Sequence, residues 1–211
     1  MTTAAEFVEL KGKLEQYEGI VEHMYLDGKG LVTVGVGHMM PSADTAAGLS
    51  FWLRKTGAPA TAEQIKAEYD VISREQKGKL ASYYKSKTTL FMKQEDIDVL
   101  TKEHISSFER ELKNLYSVSA YPPGFEKFPD EVRLALFDMI FNLGATKMRK
   151  MYLSFNQAIL KADWEKAGAQ SARQGIQLAR NEYVKALFKR AADAKKAAGT
   201  STTGTSVGNA P

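Results

Sequence analysis

Residues 17–38 read YEGIVEHMYLDGKGLVTVGVGH, and the fold turns on a change of period inside them. Ahead of this stretch Phe7, Leu10, Leu14 and Tyr17 recur at spacings of three and four, which predicts an amphipathic helix over about residues 4–18, closed by Gly19. From Met24 to His38 the period drops to two, and Asp27-Gly28-Lys29-Gly30 has the composition of a turn between extended segments. Strand alternation then puts Leu31, Thr33, Gly35 and Gly37 on one face and Val32, Val34 and Val36 on the other. The valines are expected in the core, and the Thr and Gly face is expected to be shallow and open. No other part of the chain carries a convincing β signal.

Working outward, residues 41–88 are expected to be a helical insertion. Pro41 and Ser42 open it, and Thr61 with Gln64 forms a capping box ahead of Ile65, Tyr69 and Ile72. Its Phe51, Trp52, Tyr69, Tyr83 and Tyr84 either build a core or, beside lysines, offer stacking surfaces for sugars. A further helix starts near Gln94 with Ile97, Leu100, Phe108 and Leu112 on one side. Pro129-Asp130 then open a helix that is apolar on nearly every side up to Gly144, as suits the centre of a bundle. Shorter helices are expected at about 148–160 and 163–172, and a last one from about Leu178 to Ala197. The run after it, 199–211, is small and polar and is expected to be a disordered tail. Residues 1–190 are expected to form a single catalytic domain.

With 211 residues, 44% hydrophobic and 26% charged, the chain suits one functional unit with a substantial core. It has no cysteine, so a disulfide framework and a thiolate metal site are excluded. The N-terminal residues lack the continuous apolar stretch of a secretory signal, and no segment approaches the ~18–20 apolar residues that span a bilayer. The expectation is therefore synthesis in the cytoplasm and, for any action outside it, release or delivery by other means. A formal charge of +4 favours anionic partners without choosing among them.

Glycine-rich phosphate loops, His-Glu-x-x-His and Gly-x-Ser-x-Gly are all missing. His23, His38 and His104 are too scattered to argue for a metal, and His38 reads as a structural hydrogen-bonding residue. What stands out is Glu18 at a helix end, Asp27 at the turn and Thr33 in the returning strand. Glycoside hydrolysis needs two carboxyl groups in different states, one an acid and one a base or charge stabiliser. The negative end of the helix dipole and a neighbouring apolar face both disfavour an anion at Glu18, whereas Asp27 lies among turn amides and solvent. Thr33 has a hydroxyl with which to hold a water. Such spacing arises by chance among 25 acidic residues and does not by itself prove a site.

The full phrase is more specific. Glu18, eight residues, Asp27, five residues and Thr33, followed by Val34-Gly35-Val36-Gly37-His38, resembles the active-site segment of T4-type phage lysozymes, glycoside hydrolase family 24. LALFDMIFNLG (134–144) is similar to that family's central buried helix, with Asn142 at its cleft-facing amide. ADWEKAG (162–168) and GIQLARNEYVKALF (175–188) are similar to its Trp-bearing short helix and to the element before its last helix, and Arg180 falls where the family has an arginine facing the catalytic Glu. The chain departs from the family in the length of 41–88 and in an arginine cluster reduced to Arg173 and Arg180.

The resemblance implies an α+β, mostly α, lysozyme-like fold, with a small N-terminal lobe bearing a β-hairpin, a larger helical lobe and a cleft between them. It implies hydrolysis of the β-1,4 bond between N-acetylmuramic acid and N-acetylglucosamine in bacterial peptidoglycan. Glu18 is then the acid, Asp27 and Thr33 orient the water, and Gly35, Gly37, Asn142 and Arg180 are substrate-binding residues. No cofactor, metal, nucleic acid or membrane span is expected; the protein is expected to be a monomer, with an immunity protein as partner if it is a delivered toxin. The alternatives are a lytic transglycosylase, which the Asp27 and Thr33 pair argues against, and an inactive wall-binding module, which the intact triplet argues against. A nucleic-acid binder is favoured by charge alone, and the lysines are spread along the chain.

Overall fold

The computed structural model describes residues 3–201. Contacts divide the chain into two units, Lys11–His104 and a second that joins Met1–Leu10 to Ile105–Pro211. The first helix, α1 (Ala4–Glu18), begins in the second unit and ends in the first. Thr3 and Glu6 start it with a reciprocal capping box, Thr3 N–H donating to Glu6 Oε2 at 2.7 Å and Glu6 N–H to Thr3 Oγ1 at 3.2 Å. Among the described residues no helix is long and apolar enough to cross a membrane.

In the unit Lys11–His104, strands β1 (Val21–Leu26), β2 (Val32–Gly35) and β3 (His38–Met39) form an antiparallel sheet in that order. Tyr25 pairs with Thr33 and Leu26 with Val32, while an irregularity interrupts the ladder between Val21 and Tyr25. Met24, Leu26, Val32, Val34 and Val36 are buried together, as their alternation predicts. The opposite face of β2 is not open as expected. Thr33 is 2% exposed and Gly35 is buried, and Ile97 packs over the glycine at van der Waals distance, 3.5 Å from where a Cβ would stand.

The segment 41–88 supplies the three helices α2 (Ala43–Ala47), α3 (Ala62–Ser73) and α4 (Ala81–Tyr84). The capping box at Thr61 and Gln64 is present. It also holds a strand that sequence periodicity gives no sign of: β4 (Trp52–Leu53) pairs with β5 (Leu90–Phe91) as a second, two-stranded sheet. Phe51, Ile65, Ile72 and Tyr84 are each at most 2% exposed, so this segment builds a core, which Leu90 and Met92 just beyond it continue. The stacking role is overturned for Tyr84, whose buried hydroxyl donates to the Gln76 carbonyl at 2.7 Å. Tyr83 is half-buried against it, edge to face at 5.1 Å.

The helix α5 (Gln94–Leu115) leads into the second unit, followed by α6 (Asp130–Met151), α7 (Leu153–Leu160), α8 (Trp164–Ala169) and α9 (Leu178–Ser201). In α6, Val132 and every residue from Leu134 to Ile140 are buried, as expected of a central helix. It breaks at Gly144 (φ 70°, ψ 156°) and then resumes to Met151. Helices α8 and α9 meet at Gly168, whose missing side chain admits Phe188; a Cβ there would stand 3.1 Å from the Phe188 Cβ. Trp164, Phe128, Tyr116, Phe125 and Phe137 continue this core edge to face. Helix α9 runs four residues further than expected, and the tail beyond Ser201 lies outside the described residues.

Glu68 on α3 holds the start of β5. Its buried carboxylate accepts hydrogen bonds from the N–H of Thr89 and Leu90 and from the Thr89 hydroxyl at 2.9 Å. Glu68→Ala strands those donors, at a cost of about 2–4 kcal/mol. The thermal midpoint is expected to fall on the order of 10 °C, with a smaller drop for Glu68→Gln, which keeps an acceptor; calorimetry of the three proteins checks this.

Candidate active site

Glu18 is the last residue of α1, and Gly19 closes the helix in the left-handed region at φ 74°, its N–H donating to the Glu15 carbonyl at 3.0 Å. This places Glu18 at the negative end of the helix dipole, as the sequence implies. The expected shielding by an apolar face is absent. Glu18 is exposed although Leu14, one turn before it on the same face, is buried.

Asp27 directly follows β1 and clasps the turn. Its N–H donates to the Leu31 carbonyl at 2.9 Å, its carbonyl accepts from Gly30 N–H at 2.8 Å, and its Oδ1 accepts from Lys29 and Leu31 N–H at 2.9 and 2.8 Å. Both backbone bonds to the side chain fall on one oxygen, so the carboxylate is fixed in direction while Oδ2 is left for other chemistry. Thr33 donates its only hydroxyl proton to the Leu31 carbonyl at 3.0 Å. Toward a water, that oxygen therefore offers lone pairs alone.

The register adds a residue that the sequence reading misses. Tyr25 is the cross-strand partner of Thr33 and stands two residues before Asp27, so all three belong to one face of the hairpin. Burial first, and then the charges of Glu18 and Asp27, push the Tyr25 phenol up to about 12. It is thus a neutral hydroxyl within electrostatic reach of both carboxyl groups. The signal was present in the sequence as the i, i+2 relation of Tyr25 to Asp27.

Gly35 and Gly37 lie on the same sheet, in left-handed conformation at φ 66° and 74°, where they turn β2 into β3. Asn142 and Arg180 fall in the other unit. There Asp138, 3% exposed, is held by two arginines: Arg180 Nε donates to Asp138 Oδ2 at 2.9 Å, and Arg173 Nη1 donates to Asp138 Oδ1 and to Asn142 Oδ1. Arg173 is further tied to Asn181 Oδ1 at 3.1 Å and to the Arg180 carbonyl at 3.3 Å. Burying one carboxylate with two guanidiniums is tolerable only with this density of hydrogen bonds. Asp138 is missed by sequence reasoning, which treats its helix as apolar on nearly every side.

The sequence model of the phage lysozyme family matches residues 15–194. Comparison with curated proteins gives no match.

His38 takes the structural role expected of it. It is hydrogen-bonded through Nδ1 to Nε2 of His104 on α5, with the rings stacked at 4.4 Å. Burial, and secondarily the neighbouring His104, push the His38 imidazole down to about 4; burial also lowers His104, against an opposing pull from Glu103. The unfolded chain takes up these protons near pH 6.5 and the folded chain only at lower pH. Stability is therefore lost as pH falls from about 6.5 toward 4, and the pair adds no pH dependence above 7. Thermal midpoints of the wild type and His38→Gln, measured from pH 7.5 to 4.5, are expected to diverge less at the acid end, with the wild type showing the steeper fall.

Proposed function

The chain belongs to the phage lysozyme family, and on that premise we propose that it is a muramidase that cleaves the β-1,4 bond between N-acetylmuramic acid and N-acetylglucosamine with inversion. Family membership by itself makes it a peptidoglycan hydrolase acting on the cell wall. The finer reading rests on one observation, the common hairpin face of Asp27, Thr33 and Tyr25 next to Glu18.

In this reading Glu18 protonates the leaving oxygen; its exposure at a helix end leaves it accessible to a polymer. A water then attacks from the other side of the sugar ring. Asp27, steered by the two amides on Oδ1, receives the water's proton at Oδ2. Thr33, its own proton committed to Leu31, accepts the second hydrogen of the water and so turns a lone pair toward the anomeric carbon. Tyr25 remains a neutral hydroxyl within electrostatic reach of both carboxyl groups. Gly35 and Gly37 shape the backbone beside Thr33, while Asn142 and Arg180 serve glycan binding, Arg180 through its hold on Asp138.

A lytic transglycosylase would cleave the same bond without water. The acceptor-only hydroxyl of Thr33 beside a steered carboxylate supports the hydrolytic reading, since both features handle a water and neither is needed in its absence.

Glu18→Gln keeps the shape and removes the transferable proton, so release of reducing ends from purified peptidoglycan is expected to fall about 10²–10⁴-fold with an unchanged melting curve. Mass analysis of the wild-type products is expected to show reducing muramic acid ends. Anhydro ends would replace the hydrolase with the transglycosylase, and near-wild-type release by a folded Glu18→Gln protein would remove Glu18 from the chemistry.

A further inference from the structure

Asp27-Gly28 is the only Asp-Gly pair in the chain, and Asn-Gly does not occur. A side-chain carboxyl carbon and the amide nitrogen of the next residue are joined by a chain short enough to close a five-membered ring. What holds that closure back is the Cβ of the next residue, or a hydrogen bond that occupies its N–H. Both obstacles are missing here. Gly28 is exposed, and nothing stands within 4 Å of the place a Cβ would take. Among the described residues its N–H donates to no protein acceptor, since the clasp uses the amides of Lys29, Gly30 and Leu31 instead.

The clasp also prepares the carboxyl carbon. Oδ1 accepts from Lys29 and Leu31 N–H at 2.9 and 2.8 Å, and two donors on one oxygen stabilise the negative charge that gathers there when a nucleophile adds to Cγ. Oδ2, without such a hold, is the oxygen able to leave. We propose that Asp27-Gly28 is a self-modification site, at which the chain converts Asp27 through a succinimide to isoaspartate and so ends its own activity. The Gly28 nitrogen bonds to Cγ of the protonated carboxyl. Its proton and the acid proton depart with Oδ2 as water, and Oδ1 stays as an imide carbonyl on the same two amides. A second water then opens the ring. Cleaving the bond between nitrogen and Cγ restores aspartate, whereas cleaving the bond between nitrogen and the main-chain carbonyl carbon leaves the backbone running through Cβ and Cγ. Water is the only co-reactant.

The loss of activity rests on the muramidase reading; the modification itself does not. A succinimide has no carboxylate to receive a water's proton. In isoaspartate the carboxylate sits on the former main-chain carbonyl carbon, the group whose oxygen accepted from Gly30 N–H at 2.8 Å. The enzyme thereby has a finite working life, set by chemistry inside its own turn.

Folded wild type kept at about pH 6 and 37 °C is expected to accumulate a species lighter by one water, and then isoaspartate at position 27, located by fragmentation of the tryptic peptide. Release of reducing ends should decline in proportion to the modified fraction. Gly28→Ala is the control, because Gly28 lies outside the left-handed region and alanine is accommodated without strain. Its melting midpoint and initial activity are expected to match the wild type, while modification slows about tenfold as the Cβ crowds the attacking nitrogen. Denaturing urea removes the clasp, and the folded chain is expected to modify at least as fast as the unfolded one. A folded chain that stays intact at position 27 while the unfolded chain ages, or equal rates in the wild type and Gly28→Ala, would each overturn the proposal. Full activity in protein modified at position 27 would overturn self-inactivation and remove Asp27 from the reaction. If the wild type releases no reducing ends from any wall, the muramidase reading falls, and the mass of the Asp27 peptide still decides the modification.

Discussion

The hydrogen-bond clasp around Asp27 sets the register on which the rest of the N-terminal sheet depends. Four bonds converge on this residue, two from its backbone and two to its Oδ1, and they close the turn between β1 and β2. Side chains alternate along a strand, so a slip of one residue would exchange the faces of Val32 and Val34 with that of Thr33, setting the threonine hydroxyl where the valines pack. The same register opposes Tyr25 to Thr33. Fold and site are therefore two readings of one pairing: what buries the valines is also what groups Tyr25, Thr33 and Asp27.

The larger part of the unit Lys11–His104 exists to make that short sheet stable. Two hairpin strands bury too little surface to stand alone in water. Here the segment 41–88 closes over them, with Phe51, Ile65, Ile72 and Tyr84 buried and the short sheet of β4 and β5 tied to α3 through Glu68. Ile97, from the start of α5, covers the second face. The result is a β2 strand buried on both sides, which explains why a threonine with an internally satisfied hydroxyl, rather than an open polar residue, occupies its middle.

Much of this was legible in the sequence, and the failures share a cause. Helices α1, α3, α5 and α6 announce themselves because their apolar period persists over several turns and because Thr61 and Gln64 mark a start. The strand pair β4 and β5 does not, since two residues cannot display a period of two. The face of Thr33 and Gly35 reads as open from alternation alone, because nothing local reveals that Ile97, some sixty residues on, will cover it. Spacing and resemblance single out Glu18, Asp27 and Thr33 as candidates, and they pass over Tyr25 although it obeys the same alternation. The network of Asp138, Arg173, Arg180 and Asn142 depends on contacts more than thirty residues apart, beyond the reach of any local pattern.

The clasp also bears on how this site would decay. Asp27 contributes to the turn whether or not any glycan is ever cut, so purifying selection on folding alone retains an aspartate at that position. Glu18, the last residue of α1, stands outside that turn. A descendant of this chain that put the fold to another use would keep Asp27 as a fossil of the turn, so an aspartate there marks the hairpin and is not by itself the mark of an enzyme.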